Sequence, residues 1–177
     1  MGMTLITTNT ETNAASSSFT SSIDSTYKLY IFKFINLNPA TDDASLTFQC
    51  NATDTADYND LAMTTTIWVA YNQDDGSGGA ISLQDGRDQA AGTNYQDIAF
   101  DLGNGADECA SGTFWLFNPS NTTYMKHWYS RVTSHDCGNF SHDTHAAGYL
   151  NDTTAIDDIQ FKMSSGNFDG TIKMYGV

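Results

Sequence analysis

From Tyr27 to Val177, apolar side chains recur at alternate positions in one short segment after another, each closed by Gly, Asn, Asp or Pro. Alternation of this kind places successive side chains on opposite faces of a strand, whereas a helix repeats every 3.6 residues. In residues 27–37, Tyr30, Phe32 and Phe34 share one face and Leu29, Ile31, Ile35 and Leu37 the other, which predicts a central strand covered on both sides. Residues 44–50 place Leu46, Phe48 and Cys50 inward, with Ser45, Thr47 and Gln49 outward. Thr65, Ile67, Val69 and Tyr71 share a side opposite Trp68. Ile81 and Leu83, then 95–102, 112–118 and 124–132, continue the series. A short piece at 149–150, the alternation of Ile159, Phe161 and Met163, and residues 171–177 complete it. Turns are predicted at 38–43, 72–79 and 118–121, and both Pro residues fall in turns, where no ladder donor is needed.

Composition points the same way. Of 21 acidic residues only Glu11 and Glu108 are Glu, and Lys and Arg total 7, so the residues that fill exposed helix faces are scarce. About nine short strands without a convincing helix predict an all-β, antiparallel β-sandwich, jelly-roll-like in character. The 177 residues suit one domain, set at 23–177. Residues 7–22 are mostly Thr, Ser and Asn, too polar to order themselves by burial, and residues 1–22 are expected to form an extended N-terminal arm. The arm either reaches a neighbouring subunit or lies along its own domain as an edge strand.

The net charge of −14 argues against nucleic acid and against anionic membranes, since both recruit clustered Lys and Arg. No basic-then-apolar leader opens the chain, which reads as made in a cytoplasm. Cys50 is expected to be a buried thiol, while Cys109 and Cys137 lie in polar stretches whose spacing demands no bond.

Candidate chemistry is sparse. Cys137, His142 and His145 form a loose Cys-x₄-His-x₂-His spacing that matches no standard zinc site, and 133–146 reads as a polar surface loop. His135 beside Asp136 lacks any nucleophile signature. The Asp-rich turns at 42–43, 54–60, 74–75 and 157–158 reproduce no calcium loop. No catalytic residue, metal or cofactor is assigned, and the chain is expected not to be an enzyme. Trp68, Trp115, Trp128, Tyr124 and Tyr129 are read first as core or interface packing and second as a sugar-stacking platform.

Three stretches carry a resemblance. Residues 19–42 (FTSSIDSTYKLYIFKFINLNPATD), 112–128 (GTFWLFNPSNTTYMKHW) and 155–177 (AIDDIQFKMSSGNFDGTIKMYGV) resemble the small virion structural proteins of marine tailed phages, cyanophages included. The resemblance spans nearly everything after the arm and implies no catalytic residues. It implies a virion-associated protein, and an acidic sandwich with a polar arm and no enzyme motif adds the expectation of a capsid decoration or cement protein on the particle's outer surface, homo-oligomeric and partnered with the major capsid protein or another virion protein. Assembly contacts are expected at Leu5, Ile6, Phe19, Ile172, Met174 and Tyr175. The alternative is a receptor-binding tail or head fibre module whose loops 72–79 and 133–146, with Trp68 or Trp128, recognise host surface glycans.

Overall fold

A computed structural model describes residues 2–53, 57–58 and 60–177; Asp54, of the candidate calcium turn, lies outside them. Twelve strands run β1 (Thr4–Ala14), β2 (Ser17–Phe19), β3 (Leu29–Pro39), β4 (Ala44–Ala52), β5 (Met63–Gln73), β6 (Gly79–Leu83), β7 (Gln96–Leu102), β8 (Ala110–Phe117), β9 (Lys126–His135), β10 (Phe140–Leu150), β11 (Ile156–Met163) and β12 (Phe168–Gly176). The described residues contain no α-helix, only a 3₁₀ turn at Asp85–Arg87. An eight-stranded sheet in the order β1-β12-β3-β8-β9-β10-β5-β6 packs on a four-stranded sheet, β2-β11-β4-β7. All pairings are antiparallel, as a β-sandwich requires.

Aromatic side chains from both inner faces fill the core. Phe48 of the smaller sheet lies with its ring centroid 4.6 Å from those of Phe114 and Trp128 in the larger. Phe161 meets Phe34 at 5.1 Å and Phe32 at 5.3 Å. Edge-to-face and tilted contacts of this kind bury large areas and fix the sheets' relative placement.

Three departures from simple alternation have local causes. In β3, Asn36 adopts φ 51° and the register slips between Phe34 and Leu37. The bulge reverses the parity, so Leu37 joins Tyr30, Phe32 and Phe34 in the core while Ile35 is exposed, and the strand is not covered on both sides. In β4 every residue is buried, the outward Ser45, Thr47 and Gln49 included. Gln49 Nε2 donates to the carbonyls of Leu61, Thr93 and Asn94, and Thr47 Oγ1 to that of Lys162, so the polar face is covered and satisfied. The expected loop 133–146 is instead the end of β9, a tight turn and most of β10. Asp136 Oδ1 holds that turn by accepting the N–H groups of Gly138 and Phe140 at 2.8 and 2.7 Å.

The N-terminal segment does not stand apart. β1 pairs along β12 and β2 pairs with β11, so residues 4–19 supply one edge to each sheet of their own domain. Asn9 Nδ2 donates to Ser17 Oγ and to the Ser18 carbonyl, tying the two edges together.

Candidate binding face

Antiparallel register lines up residues from distant parts of the chain on the outer face of the larger sheet. One row crosses all eight strands: Thr8, Lys173, Lys33, Thr113, Arg131, His145, Trp68, Leu83. The row beside it runs Leu5, Tyr175, Ile31, Trp115, Tyr129, Ala147, Thr66. The first holds three of the chain's seven Lys and Arg, the second is mostly aromatic and aliphatic, and neither contains a carboxylate.

Ring geometry gives the second row its shape. Trp115 stacks on Tyr129 at 4.4 Å and 21°, and Phe117 lies beside them at 5.8 Å from Tyr129. On the far side His145 stacks on Trp68 at 4.0 Å and 6°. Between these walls the side chains are small, Ala147 and Thr66, leaving an open trough. It widens past Gly148 toward Phe117, His127 and Tyr149 into an open depression of about 510 Å³.

Charge on this face is unbalanced. Arg131 makes a bidentate bond to Asp143, at 2.9 and 2.8 Å, and this partner raises the guanidinium's pKa and holds the carboxyl below its ordinary range. Lys33 and Lys173 face each other directly across the β3–β12 pair. Neither has a carboxylate within salt-bridge distance among the described residues. Lys33 Nζ lies 5.7 Å from the Tyr175 ring instead. Like charges directly opposite on a sheet are destabilising, so the pair is a local conflict of the kind that collects at functional surfaces.

A second polar cluster lies at one end of the sandwich. Arg87 bonds Asp97 and Asp101 at 2.7 and 2.8 Å, with its guanidinium 4.3 Å above the Phe100 ring. Buried His142 Nε2 is 3.2 Å from buried Asp136 Oδ2. Burial pushes the imidazole's pKa down against the pull of Asp136, and likewise pushes the Asp101 carboxyl up. The cluster is cross-braced by internal ion pairs and reads as structural.

The residues singled out from the sequence separate by burial. Leu5 is exposed, Ile6 packs partly on the core, and Tyr175 is half-buried in the second row. Phe19, Ile172 and Met174 are corrected: all three point into the core and present no contact surface. Trp128 is likewise core and not part of a platform, whereas Trp68 walls the trough. His142 and His145 lie on opposite faces of β10, so the Cys137–His142–His145 set does not converge, and no group of three or more potential metal ligands gathers among the described residues. His135 pairs with Asp74 at 3.1 Å and not with its neighbour Asp136. Cys50 is buried, with its thiol pKa raised by burial, and all three cysteines are free. Among the described residues no helix is long and apolar enough to cross a membrane.

Sequence reasoning missed Lys33, Lys173, Ala147 and Thr66. Each is unremarkable in its own segment and acquires meaning only through its cross-strand neighbours. Fold and face together describe a β-sandwich that carries an aromatic trough beside a row of cations. No family model and no curated protein sequence matches the chain.

Proposed function

We propose that this protein is a non-enzymatic structural component of a phage virion, a decoration or cement protein bound to the particle's outer surface. Its partners on this reading are the major capsid protein or another virion protein, and further copies of itself. The likeness of residues 19–42, 112–128 and 155–177 to marine phage structural proteins supplies the setting. The observation that carries the reading is β6.

Exposed sheet edges are normally guarded by charge, Pro or bulges, because an unguarded edge recruits another strand. At one edge of the larger sheet β1 is irregular, with register shifts after Leu5 and after Glu11. At the other, β6 reads Gly-Ala-Ile-Ser-Leu with no charge and no register shift. Its Ile81 and Leu83 are 75% and 68% exposed. In a chain of net charge −14 this neutral, apolar edge suits addition to a partner's sheet. The test is incorporation into particles. Ile81→Lys with Leu83→Lys should leave a folded protein by circular dichroism but remove it from purified virions, as read by electron microscopy and mass spectrometry. Undiminished occupancy would remove the reading.

A second reading, glycan recognition by a receptor-binding module, is favoured by the trough between Tyr129 and His145. In that reading the site lies on the sheet face and not on the loops.

A further inference from the structure

We propose that the outer face of the eight-stranded sheet binds an anionic polysaccharide, one bearing carboxylate or sulfate groups. Its sugar rings would lie along the row from Thr66 to Tyr175 and its charges beside Lys33 and Lys173 in the neighbouring row. The inference rests on the glycan reading and adds the chemical class and the direction in which the chain lies.

The argument begins with register. From β12 to β5 the two rows are two residues apart along each strand, about 7 Å, and both run perpendicular to the strands. From β5 to β12 they cross six adjacent strands, about 24 Å at the usual strand spacing. A linear polymer laid across the strands therefore meets ring-bearing side chains along one flank and cations along the other. The trough fits a ring. Tyr129 forms one wall and the His145–Trp68 stack the other, with Ala147 and Thr66 keeping the floor low. Thr64, His127 and Tyr149 add polar groups where the trough widens.

Charge selects the class. The whole chain is at −14, so an anionic polymer is repelled by most of its surface. Of the three cations in the two rows, Arg131 is already paired with Asp143 on the same face, whose carboxylate also lies 3.3 Å from His145 Nε2, while Lys33 and Lys173 oppose each other with no acidic partner among the described residues. A neutral glycan would leave that repulsion in place. A second copy docked face to face about a two-fold axis would set one cation row near another. An anion relieves it.

The test uses the purified protein with alginate (a polyuronate), a sulfated galactan and neutral dextran, read by affinity electrophoresis and tryptophan fluorescence at low and high salt. The wild type should bind an anionic polymer, with affinity falling as salt rises. Lys33→Glu with Lys173→Glu should weaken binding about tenfold or more, a change of about 1.4 kcal/mol. If that double variant fails to fold, Lys33→Gln with Lys173→Gln gives the same test without charge reversal. Ala147→Met, which fills the floor, should weaken binding while leaving thermal unfolding unchanged. Equal binding of dextran would overturn the anionic class and leave the glycan reading standing. Binding of no polymer would overturn both. Concentration-dependent self-association that the same substitutions abolish would name a second copy as the occupant and overturn the proposal.

Discussion

His145 lies flat against Trp68 across the β10–β5 pair, ring centroids 4.0 Å apart and planes within 6°. The stack leaves one imidazole face turned to the trough and fixes its wall. Aromatic pairs contribute about 0.5–1.5 kcal/mol beyond the area they bury. Trp68→Ala loses this and the area the indole buries, so it should lower the urea-unfolding free energy by at least about 1 kcal/mol without loss of the sandwich. An unchanged midpoint would mean the stack adds nothing to stability.

Phe19 shows why removal of the N-terminal segment is a poor test of assembly. Its ring lies 5.2 Å from Phe32 and 6.4 Å from Phe161, in the core, and β1 covers the β12 edge. Truncation of residues 1–22 removes both elements. Phe19→Ala alone should cost about 3–5 kcal/mol, the usual range for deleting a buried aromatic ring. The truncated chain should expose β12 and associate at concentrations where the intact protein is monomeric or forms a defined oligomer. Light scattering of the two side by side checks this.

Much of the architecture was legible because a strand's two faces differ locally. The alternation at 65–71 and at 159–163 needed no knowledge of the rest of the chain. β10 was hidden because its inward positions His142 and Thr144 are polar while its outward Ala147 is small, which inverts the usual contrast. Alternation places Leu37 on the wrong face because one residue at φ 51° shifts the parity, and a bulge leaves no mark on hydrophobicity. The binding face was the least legible part. Lys33 and Lys173 become neighbours only through the β3–β12 register, a long-range property that no local pattern encodes.

Thr144 offers a stabilising substitution. It is fully buried on the inner face of β10, and its Oγ1 has no hydrogen-bond partner among the described residues. A buried hydroxyl without a partner costs roughly 1–3 kcal/mol, and Val keeps the β-branched shape that strands favour. Thr144→Val should raise the unfolding free energy by about 1 kcal/mol. A loss measured by urea denaturation would mean that the hydroxyl is satisfied in solution.

The cysteines should differ sharply in reactivity. Burial pushes up the thiol pKa of both Cys50 and Cys137, the latter with help from the surrounding carboxylates, but Cys50 is buried and Cys137 is exposed, so access separates them. Thiolate access governs alkylation, so iodoacetamide should label Cys137 in the native protein and Cys50 only after unfolding. Peptide mass mapping reads both sites. Native labelling of Cys50 would show that the β4 core opens on the labelling timescale.

His142 should make the fold acid-sensitive. Burial holds its pKa below the ordinary 6.5, and the pull of Asp136 is the smaller effect. As pH falls through about 6.5 the unfolded chain takes up a proton that the folded imidazole refuses, so stability drops until the folded pKa is reached. His135 acts in the opposite sense. Its hydrogen bond to Asp74 raises its pKa, giving stability that is present below 6.5 and lost as pH rises through the folded value. Its side chain is 33% exposed and solvent screens that contribution. The wild type should lose stability as pH falls below about 7.5, with a slope that His142→Gln flattens. Urea denaturation at each pH measures both slopes. Equal slopes would mean that His142 titrates alike in the folded and unfolded chains.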